Sequence, residues 1–152
     1  MGLDYSLKLS TTMKPAQAFG LLAEHFEELQ WGDENAYLFG PDITITVVDM
    51  DKESRSIMEE GFGFRPDLSV GFRFPSNQDY EKFAQILLEG ALLLLEHGQD
   101  GVLLFNGELI VLQRIWGQLV FNADYRIYDD EHWLEDRVSV PFERRSLPSP
   151  LL

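Results

Sequence analysis

The chain has 152 residues, 45% apolar and 12% aromatic, with no cysteine and a formal charge of −14 from 12 basic against 26 acidic side chains. That is enough chain for one compact domain without covalent staples, and it excludes disulfides, thiolate metal sites and a cysteine nucleophile. The charge opposes binding to a phosphate backbone or an anionic bilayer, so no nucleic acid and no membrane is expected as partner, and a basic protein or a cation is favoured.

Residues 1–10 lack the basic stretch and apolar run of a secretory signal, so a cytoplasmic location is expected. Gly2 and Ser6 fit an N-acylation pattern, but they also open a strict alternation. Leu3, Tyr5, Leu7 and Leu9 against Asp4, Ser6, Lys8 and Ser10 predict a half-buried strand. From Pro15, tolerated in a first helical turn, the apolar spacing changes to Phe19, Leu22, Phe26 and Leu29, predicting an amphipathic helix ended by Trp31 and Gly32. Residues 36–39 and 43–48 flank Gly40-Pro41-Asp42 and read as two strands joined by a turn. Residues 49–64 are charged first and then glycine-punctuated, with no clear period.

Alternation returns at Leu68, Val70, Phe72 and Phe74, where Gly71 would let a helix approach the strand backbone closely. Ser76 and Asp79 form a capping box for a helix through Tyr80, Phe83, Leu87 and Leu94, stopping near His97 and Gly98. Between 86 and 95 its only charge is Glu89, so it is expected as the central helix, covered on most sides. Asn106-Gly107, between apolar runs at 102–105 and 108–113, predicts a type I′ hairpin turn because both residues accept positive φ. A strand at 119–121 follows Gly117, and Asp129 or Asp130 can cap a short helix through Trp133 to Arg137. The order of elements predicts an α+β fold, a mainly antiparallel sheet packed by two principal helices. Residues 1–140 are expected as the single domain and 141–152, which hold Pro141, Pro148 and Pro150, as an irregular tail.

Motifs for catalysis are missing: no H-E-x-x-H, no G-x-S-x-G and no phosphate loop. Asp49, Asp51, Glu53 and Glu60 imitate a calcium-loop ladder, but Ser54 stands where the turn needs glycine. The run from Gly61 begins like a dinucleotide loop and is broken by Pro66. His25 reads as solvated and His97 as a helix C-terminal cap, while His132 is the histidine that lies beside several carboxylates. No metal and no cofactor is expected. What stands out is acidity around large aromatics: Asp33 and Glu34 beside Trp31, and Asp129, Asp130, Glu131 and Glu135 around Trp133. Acidic rims steer a basic partner and an exposed tryptophan anchors it, so these eight residues are the candidate partner-binding set. Packing of all three tryptophans in the core is the competing reading.

Four stretches, GLDYSLKLSTTMKPAQAFGLLA, GFGFRPDLSVGFRFPSNQDYEKF, LLLLEHGQDGVLLFNGELIVLQR and PFERRSLPSPLL, together resemble the third family of Sit-type immunity proteins. These are small bacterial proteins that protect a cell against a swarming-inhibition toxin delivered by its kin. The resemblance implies a non-enzymatic cytoplasmic antidote, paired with a cognate polymorphic toxin and needing no cofactor; it marks no contact residues. A small metal-dependent hydrolase built on Asp129, Glu131 and His132, and a general acidic adaptor, are the alternatives.

Overall fold

The alternation at the start of the chain becomes β1 (Gly2–Leu9), a central strand of the sheet in the computed structural model, which describes residues 2–75 and 79–148. Along the chain follow β2 (Gln30–Trp31), β3 (Leu38–Gly40), β4 (Ile43–Asp49), β5 (Leu68–Pro75), β6 (Gly101–Phe105), β7 (Leu109–Ile115), β8 (Gln118–Asn122) and β9 (Phe142–Arg145). They form one nine-stranded sheet in the order β2-β3-β4-β5-β1-β6-β7-β8-β9. Pairing is antiparallel except between β8 and β9. The helices are α1 (Pro15–His25), α2 (Lys52–Phe62), α3 (Tyr80–Glu96) and α4 (Glu131–Arg137), so the fold is α+β with a mainly antiparallel sheet.

The period-2 residues do what their spacing predicts. Tyr5, Leu7 and Leu9 of β1 and Val70, Phe72 and Phe74 of β5 are buried in one cluster with Phe19 and Leu22 of α1 and Leu87, Leu88, Leu94 and Leu95 of α3. Each such side chain contributes roughly 1.5–3 kcal/mol by leaving water. The close approach of helix to sheet is made by Gly90 on α3: a Cβ there would meet the buried Phe72 ring at 2.8 Å. Gly71 does not play that part, because a Cβ on it would meet Thr46 of the neighbouring strand. A smaller cluster, Met50, Met58, Phe64, Val102, Leu104, Ile110, Val120 and Leu147, lies apart from the first. Val102 and Leu104 alternate along β6 with Leu103, which belongs to the main cluster, so the smaller cluster covers the other face.

Several boundaries depart from the sequence reading. Helix α1 stops at His25 rather than near Trp31, with buried Phe26 as its cap, because the chain must descend to pair Trp31 with Leu38. The illegible stretch contains α2, whose N-cap is Asp51, accepting the Ser54 amide at 2.7 Å, and whose C-cap is Gly63 at φ 79. The calcium-like ladder and the glycine run are therefore the two ends of one helix. Its pattern was weak because Met58 is the helix's one buried residue. At the start of α3, Ser76 lies outside the described residues, and Asp79 itself is the N-cap, accepting from Glu81 and Lys82.

The tail is not wholly irregular. Phe142–Arg145 form β9, paired in parallel with β8, since Pro141 precedes the paired residues and Pro148 follows them. The Asn122 side chain fastens what comes next: its Nδ2 donates to the carbonyls of Ile110 and Leu147, and its Oδ1 accepts from the Leu147 and Asp124 amides. Asn106 and Gly107 take φ 53 and 72 as expected, and the Glu108 amide closes the turn on the Phe105 carbonyl at 3.1 Å. No helix among the described residues is long and apolar enough to cross a membrane.

Candidate functional site

The eight candidate residues fall into two separate patches. Trp31 lies on edge strand β2, is 44% exposed and leans on Phe19 with ring centroids 5.4 Å apart. Asp33 and Glu34 follow it in a 3₁₀ turn, exposed, with Glu34 at φ 57. The second patch belongs to the segment between β8 and β9. Trp31 leans on α1, whereas Trp133 rests on Tyr128, which is bonded to Ala84 of α3, so the two patches are mounted on different helices.

In the second patch the acids have different tasks. Asp130 is the N-cap of α4 and accepts the Trp133 amide at 3.1 Å. Asp129 accepts from Arg126 Nε at 3.3 Å. Glu131 is exposed on the first turn of α4, and Glu135 lies 3.8 Å from the His132 ring. Trp133 is half-buried: one side of its ring stacks near Tyr128 at 5.9 Å, and the Arg137 guanidinium lies 4.1 Å from its centroid. Tyr128 donates its hydroxyl to the Ala84 carbonyl of α3, and burial pushes that phenol well above its usual range. The neighbouring Tyr80 phenol is raised too, first by burial and then by the Asp129 carboxylate. The patch is thus an acidic surface on a firmly packed short helix.

None of the three tryptophans is fully buried, so their packing together in the core does not occur. Nor are Asp129, Glu131 and His132 brought together as metal ligands: among the described residues no group of three or more His, Asp or Glu side chains could hold an ion. His25 is not merely solvated but lies 3.1 Å from Glu89 of α3. His97 is the C-cap of α3, its Nδ1 3.1 Å from the Leu93 carbonyl.

The residue that sequence reasoning missed is Trp116. It is 91% exposed at the tip of the β7–β8 hairpin, with φ 58, followed by Gly117 at φ 77. The left-handed region costs an ordinary L-residue about 1–2 kcal/mol, so a bulky aromatic there is unusual. Its amide donates to Asp100 at 3.0 Å. Two residues earlier, Arg114 caps α3 from the sheet, its guanidinium donating to the carbonyls of Leu95, Gly98 and Gln99. The signal available in the sequence was the Trp116-Gly117 dipeptide between two apolar runs, the same placement as Asn106-Gly107.

Beside Trp116 runs a groove. One part, about 580 Å³, is walled by Trp116, Leu119, Val140, Pro141 and Phe142. A second part, about 400 Å³, lies over the partly exposed Leu92 and Leu93 of α3, between His25 at the end of α1 and Arg137 at the end of α4. The two share Arg114, Leu119 and Val140. Glu89, Glu96 and Glu143 line them.

A family model described as SitI3-like matches residues 3–132. No curated protein and no solved structure matches the chain.

Proposed function

The chain belongs to the SitI3-like family, and from that premise we propose that it is a cytoplasmic immunity protein that binds and neutralises a cognate, basic bacterial toxin without catalysis. The family match, which spans most of the chain, is the observation that carries this reading. Two further features support it. The formal charge of −14 suits a basic partner, and the α4 patch offers exposed acids whose removal would not unfold the helix. We assign first electrostatic contact to Glu131 and Glu135, with Asp129, Asp130 and Trp133 supporting them. Asp130 holds the helix start and Trp133 is wedged between Tyr128 and Arg137. Trp31, Asp33 and Glu34, mounted beside α1, form a secondary contact.

Co-expression with the toxin encoded beside this gene tests the reading. Growth should be restored when the two proteins are present in equal amounts, and they should co-purify. Rescue by trace amounts, with no complex recovered, would show an enzyme instead. Within the complex, reversing Glu131 and Glu135 to Lys should slow association and flatten its salt dependence, while leaving dissociation nearly unchanged.

A further inference from the structure

We infer that Trp116 is the anchor by which this protein holds its cognate toxin, its indole entering an apolar pocket on the toxin while basic residues around that pocket face Glu143, Glu96 and Glu89 along the groove. This rests on the immunity reading and adds to it a contact centre on the β7–β8 hairpin.

The fold itself makes no use of the ring. Among the described residues no aromatic ring and no cation stacks on Trp116, and 91% of the residue is open to water. The backbone does not favour it either, since φ 58 is a region suited to asparagine or glycine, as at Asn106 in the sister turn. The position is nevertheless held firmly. Asp100 fixes the Trp116 amide, and Arg114 ties the base of the hairpin to the end of α3. With its backbone fixed, an exposed tryptophan has only two side-chain torsions to lose on binding and buries a large apolar area, which is the profile of an interface hot spot.

Its surroundings continue the surface. Val140 is 52% exposed, and Pro141 and Phe142 complete the apolar wall of the adjoining groove. The formal charge of −14 over the whole chain favours a basic partner here. Arg114 is engaged with the carbonyls of Leu95, Gly98 and Gln99 and Arg137 with the Trp133 ring, while Glu89 is paired with His25 and Glu143 lies 3.7 Å from Arg145, so Glu96 is the charged side chain of the lining with no ion pair among the described residues. A basic toxin also suits the indole face, which attracts Lys and Arg through its ring quadrupole.

The test compares wild type, W116N and W116F, each as the full chain, for melting temperature, self-association and binding to the purified toxin encoded beside the gene. W116N should melt at or above the wild-type temperature, yet release the toxin on the order of 30-fold faster or more; W116F should retain most of the affinity. Toxin binding should also protect wild-type tryptophan fluorescence from iodide, and that protection should shrink in W116N. Equal binding by wild type and W116N would overturn the anchor while the immunity reading stands. Failure of wild type to bind the toxin would overturn both. A lower melting temperature in W116N would make Trp116 a structural residue, and loss of a wild-type dimer with toxin binding intact would assign the surface to a second copy; either result rejects the proposal.

Discussion

Two turns in the β6–β7–β8 meander place two successive residues at positive φ and differ in chemistry. At Asn106-Gly107 the φ angles are 53 and 72; at Trp116-Gly117 they are 58 and 77. In the first, sequence and conformation agree, because asparagine tolerates the left-handed region and the tip does nothing else. In the second they disagree, and the misfit residue is also the most exposed of the large apolar side chains. A local rule broken at one turn and obeyed at its neighbour marks a position set by something other than folding.

The strongest way to break this comparison is at the base of the second turn, where the first has no counterpart. Arg114→Ala should cost about 2–3 kcal/mol in urea unfolding, because the carbonyls of Leu95 at the end of α3 and of Gly98 and Gln99 just beyond it lose a charged donor. Arg114→Lys should recover less than half of that, since an ammonium cannot reproduce the planar fork. A smaller effect is expected at the glycines. Gly107→Val and Gly117→Val should each cost about 1–2 kcal/mol, and equally, because neither added Cβ meets another atom and strain at positive φ is the only cost. Unequal losses would show that the two backbones differ.

Exchanging the first residues sharpens the contrast further. Asn106→Trp should destabilise and Trp116→Asn should stabilise by about 0.5–1 kcal/mol each. For a chain of this size that is a melting shift of roughly 2–4 °C or less, read by calorimetry. The mildest expectation lies in α2, away from both turns. The Ser54 amide holds the Asp51 carboxyl below its usual range, so the cap stabilises the fold above the unfolded carboxyl pKa. That contribution is lost as pH falls through the lower folded pKa. Asp51→Asn should therefore flatten the acid limb of the stability profile below about pH 4 while leaving both turns unaffected.

Much of the fold was legible because its signals are local. The alternation of Leu3, Tyr5, Leu7 and Leu9, the Asn106-Gly107 turn and the apolar run of α3 each match the observed element. The misses have physical reasons. Helix α2 buries only Met58 and so shows little period. The end of α1 is set by the pairing of Trp31 with Leu38, a contact that the helical spacing through Leu29 does not report. Trp116-Gly117 does not read as a turn because tryptophan is not a turn-forming residue.

By itself the sequence determined which face of each strand and helix turns inward, because side-chain direction follows the periods of 2 and 3.6 residues wherever burial is strong. It also determined the acidic surface, the absence of thiol chemistry and the family to which the chain belongs. Only the tertiary structure decided how those surfaces are distributed. It mounted Trp31 on α1 and Trp133 on Tyr128 beside α3, made β9 from a proline-flanked tail by offering it the free edge of β8, and opened the groove from Trp116 to α3. Each depends on residues far apart in the chain meeting across the sheet, and a local pattern records which side chains are buried, not which distant partners bury them.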